Sequence, residues 1–450
     1  IGYKFAQAPA NATAFTINPA TLTYNANAAN RLYGAANPAL SGTVAGFVLG
    51  ETQATATTGT LSFTTPAVAN SNVGSYALNG GGLAANNGNY VFVQAPANAT
   101  AFTINPATLT YTANAANRLY GAADPAFSGT VTGFVLGETQ ATATAGALSF
   151  TTPAVANSNV GTYALNGGGL TANNGNYVFV QAPGNATMFA INPATLTYAA
   201  NAANRLYGAA NPALGGTVTG FVLGETQATA TTGTLGFTTP AVANSNVGTY
   251  SLNGSGLTAN NGNYVFAQAP ANVTAFTINP VQLTYTANAA NRLYGAADPA
   301  FSGTVTGFVI GETQATATTG TLSFTTSAVA NSNAGSYALN GGGLTANNGN
   351  YVFVQAPANA TAFTINPAII NLAGSRTYDA TNTFAAAAFG AAGTINTGIG
   401  GQTLLVAGGA GTVVSANVAA GTQALTLGGL TLADGTGLAS NYTLTGGTHT

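Results

Sequence analysis

Large apolar side chains alternate with small or polar ones in short runs along the chain. Leu109-Thr-Tyr111, Leu61-Ser-Phe63, Tyr76-Ala-Leu78 and Tyr90-Val-Phe92 each show the two-residue period of a strand with one buried face. Clusters of turn formers stand between them: Asn70 to Gly74, Asn79 to Gly82 and Asn86 to Asn89. These residues tolerate positive φ or bond their own backbone. Good helix formers other than alanine are scarce. The pattern predicts an all-β fold with one short helical turn near Gly50 to Ala56, and a core drawn from Leu22, Tyr24, Phe47, Phe63, Tyr76, Leu78, Tyr90 and Phe92.

The pattern also repeats. FTINPATLTY opens at Phe15 and again at Phe102, FAINPATLTY at Phe189, FTINPVQLTY at Phe276 and FTINPAIINL at Phe363, a step of 87 residues each time. That period exceeds a solenoid coil or a propeller blade and suits a small domain. Asn-Pro pairs at Asn18, Asn105, Asn192, Asn279 and Asn366 make natural joints, because proline stiffens the chain and removes a ladder donor. Repeats are therefore expected at 20–106, 107–193, 194–280 and 281–367, followed by a divergent domain at 368–450. Residues 1–19 align with 88–106 and read as the closing strand of a preceding repeat, and the last domain stops short of a closing strand. The chain is expected to be a piece of a longer polypeptide. Six or seven strands in each repeat predict small β-sandwich domains of immunoglobulin-like size, in an elongated tandem array like beads on a string.

Composition narrows the class. Charged residues are 3% of the chain, hydrophobic residues are 46%, and the net charge is −2. This is too apolar for disorder. No run is long enough for a membrane helix, the longest being Ala385 to Ala392. A barrel of membrane-crossing strands fits poorly with repeats that carry Asn-Gly-rich, uncharged turns at both rims. With no cysteine, folding needs no oxidising compartment. Six basic residues leave nucleic acid without the clustered cations its phosphates require.

Candidate chemistry is sparse. Each repeat carries one arginine and one glutamate at constant spacing, Arg31 with Glu51, Arg118 with Glu138, Arg205 with Glu225 and Arg292 with Glu312. Their rarity suggests a structural ion pair holding two loops, in preference to a ligand-binding pair. Asp124 and Asp298 replace Asn37 and Asn211 in alternate repeats, so that carboxylate is dispensable. Glu51 with Asp124 is too thin a set for calcium. The one histidine, His449, has no partners for a catalytic triad, so neither an enzyme nor a cofactor is expected. Asn-x-Thr sequons at Asn11, Asn98, Asn185, Asn272 and Asn359, and again at Asn441, are candidate glycosylation sites, although one chance site copied by duplication explains the first five. The threonine-rich run 52–65 reads as strand surface and not as an ice-binding array.

Four motifs of each repeat carry a family resemblance. Arg31-Leu-Tyr-Gly-Ala-Ala-Asn-Pro38 with Gly46 to Glu51, Asn72-Val-Gly-Ser-Tyr76, and Asn86-Asn-Gly-Asn-Tyr90 resemble the YGX-type MBG repeats of giant bacterial adhesins. Ser375-Arg-Thr-Tyr-Asp379, Asn417-Val418 and Asn441-Tyr-Thr-Leu444 resemble the YDG repeat that accompanies them, with Ala380 where that family has glycine. Such repeats occur in secreted proteins similar to filamentous haemagglutinins. The resemblance implies an extracellular place on the bacterial surface, export through an outer-membrane partner, a spacer or adhesive role, and no catalytic residue. The partner is either a surface ligand that the sequence does not reveal or another copy of the chain. Near-zero net charge leaves little repulsion between copies, so self-association into a fibre, sheath or biofilm matrix is the second expectation.

Overall fold

The computed structural model describes residues 1–450. In the first repeat the strands are β1 (Ala20–Ala26), β2 (Ala29–Leu32), β3 (Gly42–Ala45), β4 (Thr57–Thr64), β5 (Gly74–Tyr76), β6 (Asn79–Ala85), β7 (Tyr90–Gln94) and β8 (Phe102–Asn105). The short helical turn α1 (Gln53–Ala56) lies where the sequence places one. The repeat thus has eight strands, more than the alternation alone marks, because β2, β3 and β5 are only three or four residues long. The all-β tandem array is the observed architecture.

Three sheets form each repeat. In the first, β1 pairs antiparallel with β3 and parallel with β7, setting Leu22 opposite Phe92. The second is the β4–β6 hairpin, whose register shifts between Gly59 and Ser62. The third has β8 at its centre, parallel to β2 and antiparallel to β5, with Arg31 opposite Ile104. Parallel β2–β8 pairing recurs in all four repeats. Tyr24 joins the first sheet to the hairpin, stacked on Phe92 with ring centres 5.1 Å apart and edge-on to Phe63 at 6.3 Å.

The most deeply buried side chains of the first repeat include Phe102 and Ile104 of the closing strand, both 0% exposed. Next comes Pro106 alone, and then β9 (Ala107–Ala113), which already belongs to the sheet of the second repeat. One residue therefore separates strands of two repeats, and the apolar core continues through the joint. One cluster joins Tyr207, Leu252, Phe276 and Ile278 of the third repeat to Leu283 and Tyr351 of the fourth. Another joins Leu339, Phe363 and Ile365 of the fourth repeat to Phe389, Leu404 and Tyr442 of the last domain.

The chain divides into two compact units, one of Ile1–Leu196, Thr219–Gly233 and Leu257–Ala267, the other of Thr197–Val218, Thr234–Gly256 and Gln268–Thr450. The division runs through the third repeat, and every Asn-Pro joint lies inside a unit.

The last domain keeps the plan in abbreviated form. Its opening Ala368–Ile369 runs parallel to Tyr442–Thr443, and Thr403–Gly408 lies between Thr394–Asn396 and Leu430–Asp434. No helix in the chain is long and apolar enough to cross a membrane.

Candidate functional site at the joints between repeats

The residues that recur most strictly meet at the joints. Tyr33 follows the last residue of β2, where its N–H donates to the Asn105 carbonyl at 2.8 Å. The chain turns at once through Gly34, whose φ of +79° suits a residue without Cβ. The Tyr33 ring therefore points into the second repeat, where it is 4% exposed. Its hydroxyl donates to Glu138 Oε1 at 3.1 Å, while Tyr177 of the second repeat donates to Glu138 Oε2 at 2.5 Å. The two rings meet edge to face, 5.5 Å between centres. The Val135 N–H donates to the Tyr177 hydroxyl at 3.1 Å, completing its bonds. One carboxylate thus serves two hydroxyls from neighbouring repeats. A hydrogen bond to a charged group contributes about 1.5–3 kcal/mol, and an edge-to-face ring pair about 0.5–1.5 kcal/mol beyond its buried area.

A second contact lies beside the first. Asn176, 4% exposed, accepts the Val73 N–H at 2.9 Å and donates to Asn72 Oδ1 at 3.0 Å. Shape fixes the approach between them, because a Cβ on Gly34 would stand 2.3 Å from Val135 Cγ2. The joint needs a residue without a side chain on one repeat and a branched apolar residue on the next.

The same constellation recurs. Tyr120, Glu225 and Tyr264 join the second and third repeats, with Asn263 bound to Asn159 and Val160 and Gly121 against Val222. Tyr207, Glu312 and Tyr351 join the third and fourth, with Asn350 bound to Asn246 and Val247 and Gly208 against Val309. At the last joint Gln402 replaces the glutamate. The Tyr442 hydroxyl donates to its Oε1 at 2.7 Å, and its Nε2 donates to the Tyr294 hydroxyl at 2.9 Å. An amide both accepts and donates, so one tyrosine reverses its role and the geometry survives without charge. Asn441 takes the place of Asn176 there, and Ile399 that of Val135.

Burial and the neighbouring glutamates raise the pKa of these phenols. Desolvation, then the hydrogen bond to the glutamate, pushes Tyr177, Tyr264 and Tyr351 up to about 12 from an ordinary value of 10.0. Tyr33, Tyr120 and Tyr207 are raised by the same causes, burial first. An ionised tyrosine here would face a carboxylate with little water between them.

The expected pairing of Arg31 with Glu51 is not made, nor is its counterpart in the other repeats. Arg31 lies in the β2–β8–β5 sheet, where Nε donates to Asn37 Oδ1 at 2.7 Å, Nη2 to the Val68 carbonyl at 2.6 Å, and the guanidinium sits 6.0 Å from the Phe102 ring centre. Glu51 lies beside the other three-stranded sheet and accepts from Tyr90. Arg118 and Arg292 pair instead with Asp124 and Asp298, both at 2.6 Å, and Arg205 bonds Asn211 and the Val242 carbonyl. The arginine is needed to tie the turn to the sheet. Carbonyls and a ring face balance its charge where no acid stands.

Four of the sequon asparagines are closed to a glycan in the folded chain. Asn98, Asn185, Asn272 and Asn359 are at most 2% exposed. Asn98 donates to the Tyr24 carbonyl and Gln94 Oε1 and accepts the Ala26 N–H at 2.9 Å, which locks the closing loop to β1. Asn441 is equally buried, in its joint. Asn11 alone of the six Asn-x-Thr asparagines is exposed. His449 is also buried, its Nδ1 accepting from the Leu372 N–H at 3.0 Å and its Nε2 lying 2.8 Å from the Leu444 carbonyl. No group of three or more histidine, cysteine or acidic side chains comes together.

Reading single residues for charge misses the joint, because its tyrosines and asparagines look like core and turn positions. The available signal was the constant spacing of Tyr33-Gly34, Asn72-Val73 and Asn89-Tyr90. Those motifs distinguish the repeats because they are the surfaces by which one repeat grips the next. Comparison with protein families matches residues 22–100, 109–187, 196–274 and 283–361 to the MBG domain (YGX type), and residues 360–450 to the YDG domain. No curated protein matches the chain.

Proposed function

From a chain that belongs to the YGX-type MBG domain family in four consecutive repeats, we infer a non-enzymatic repeat stalk of a large secreted bacterial surface adhesin, which spaces its adhesive part from the cell or adds to adhesion itself. The observation that carries this reading is the recurrence of one joint. Tyr33, Glu138 and Tyr177 are reproduced at the later joints, and Gln402 preserves the arrangement where the domain type changes. A stalk requires units that join in one geometry at every step, whatever their number. An extracellular place at the bacterial surface and export through an outer-membrane partner follow from the family and belong to the same proposal.

The second reading is a self-assembling subunit of an extracellular filament, sheath or biofilm matrix. It is favoured by a net charge of −2 and by exposed valines on the outer face of β7, Val91 at 46% and Val93 at 44%. Electron microscopy of the purified chain, with scattering mass followed against concentration, separates the two. The stalk reading expects the mass of a single chain at every concentration. Ordered filaments or sheets built by this chain alone would overturn it in favour of the matrix.

A further inference from the structure

Each repeat contains two Asn-Gly pairs in opposite surroundings. Asn79-Gly80 opens β6, where Asn79 pairs with Thr64 and the Gly80 N–H donates to Gln94 Oε1 at 2.8 Å. Gly167, Gly254 and Gly341 are held in the same way by Gln181, Gln268 and Gln355. Asn87-Gly88 instead lies in the turn between β6 and β7. Asn87 and its counterparts Asn174, Asn261 and Asn348 are exposed, in the left-handed region with φ of 59°, 54°, 54° and 52°. No atom lies within 4 Å of the place a Cβ would take on the glycine that follows each of them.

We propose that Asn87, Asn174, Asn261 and Asn348 are sites of spontaneous conversion to aspartate and isoaspartate, and that this chemistry ages the joints. The amide nitrogen of the following glycine attacks the asparagine Cγ. A bond forms between that nitrogen and Cγ, the bond from Cγ to the side-chain nitrogen breaks, and ammonia leaves with the proton from the backbone N–H. Water then adds to one of the two carbonyls of the cyclic imide and opens it, leaving an aspartate or a backbone lengthened by one methylene. Water is the only co-reactant. A side chain on the following residue would crowd the attack, and glycine has none. In β6 the same nitrogen is tied to a glutamine and its asparagine is held in the hairpin.

The turn adjoins the joint. Asn261, Glu225, Asn263, Tyr264 and Tyr120 line one groove of about 400 Å³. A carboxylate at position 261 adds a second negative charge beside the one that receives both tyrosines, and a lengthened backbone displaces Asn263, two residues on, from Asn159 and Val160. The joint in turn restrains the chemistry. Asn176, Asn263 and Asn350 are clasped to the preceding repeat. Attack requires the turn to open, and that clasp resists it.

The test is to hold the full chain, folded and in denaturant, at mildly alkaline pH and map acid and isoaspartate by peptide mass spectrometry with enzymatic methyl labelling. In the folded chain the four turn sites convert, while Asn79, Asn166, Asn253 and Asn340 stay intact. In denaturant all eight convert alike. Equal conversion of turn and strand sites in the folded chain, or none at the turns, overturns the assignment. Asn174→Asp should lower the thermal midpoint of the fresh chain towards that of aged material, and an unchanged midpoint in both would remove the proposed effect on the joint.

Discussion

The Tyr33 hydroxyl donates across the first joint to the Glu138 carboxylate at 3.1 Å, between residues 105 positions apart in the chain. Replacing Glu138 by alanine leaves this hydroxyl and that of Tyr177 without their acceptor in a site that is largely dry. The cost is expected at about 1–3 kcal/mol. Glu138→Gln should cost less, because Gln402 makes the same two contacts at the last joint. Denaturant unfolding of the full chain checks this, and equal losses for the two variants would refute the shared-acceptor account.

The closeness of Gly34 to Val135 sets a second expectation. Gly34→Ala introduces a methyl where the space is filled and φ is positive, at a cost on the order of 1–3 kcal/mol. Val135→Ala in the same chain should recover the part due to the Val135 methyls and leave the part due to φ and to the Val135 Cβ, which stands 2.7 Å from the new methyl. A double-mutant cycle measures the coupling directly. Absence of coupling would mean that the two repeats yield to each other.

Stability should fall in alkali. The folded chain holds Tyr177, Tyr264 and Tyr351 protonated to about 12, whereas unfolded tyrosine ionises near 10.0. A raised folded value means that the contribution is fully present below pH 10.0 and is lost as pH rises from there to about 12. Tyrosinate absorbance read alongside the unfolding midpoint should show these phenols ionising together with the loss of structure. Ionisation near 10.0 in the intact fold would contradict the buried clasp.

Asn98 is a structural residue and not a glycan acceptor in the folded chain. Asn98→Ala should cost the first repeat about 1–3 kcal/mol, since the Tyr24 carbonyl and the Ala26 N–H both lose their partner. Folded chain offered to a sequon-modifying enzyme should be modified at Asn11 and not at Asn98, Asn185, Asn272 or Asn359. Peptide mapping decides this, and a glycan on Asn98 of a chain that remains folded would be incompatible with its burial.

Ala380 has a φ of +65°, a conformation that costs a residue with Cβ about 1–2 kcal/mol. Ala380→Gly should therefore stabilise the last domain by roughly 1 kcal/mol, net of the greater freedom of glycine in the unfolded chain. A lower midpoint for the glycine variant would show that the alanine methyl makes a contact that outweighs its strain.

Much of the fold could be read from the residues. Alternation in Leu22-Thr-Tyr24 and Tyr90-Val-Phe92 marked the strands, and the constant step of 87 residues marked the array. The short strand β2 was not legible and β5 only at its last residue, Tyr76, since three or four residues carry too little pattern and their order depends on β8 lying between them. The joint was legible only as recurrence. Nothing local in Glu138 shows that its carboxylate meets Tyr33 of another repeat as well as Tyr177 of its own.

The sequence by itself determined the longer strands, the repeat length, the turn positions and the near absence of charge, because each follows from local side-chain size and polarity. Tertiary structure alone decided which strands pair and which faces close. The segment FTINPATLTY makes the difference plain. At Phe102 and Ile104 it is the buried centre of a sheet, 0% exposed, with β2 and β5 on either side. A strand exists where neighbouring strands satisfy its backbone and bury its side chains, and those neighbours lie far along the chain.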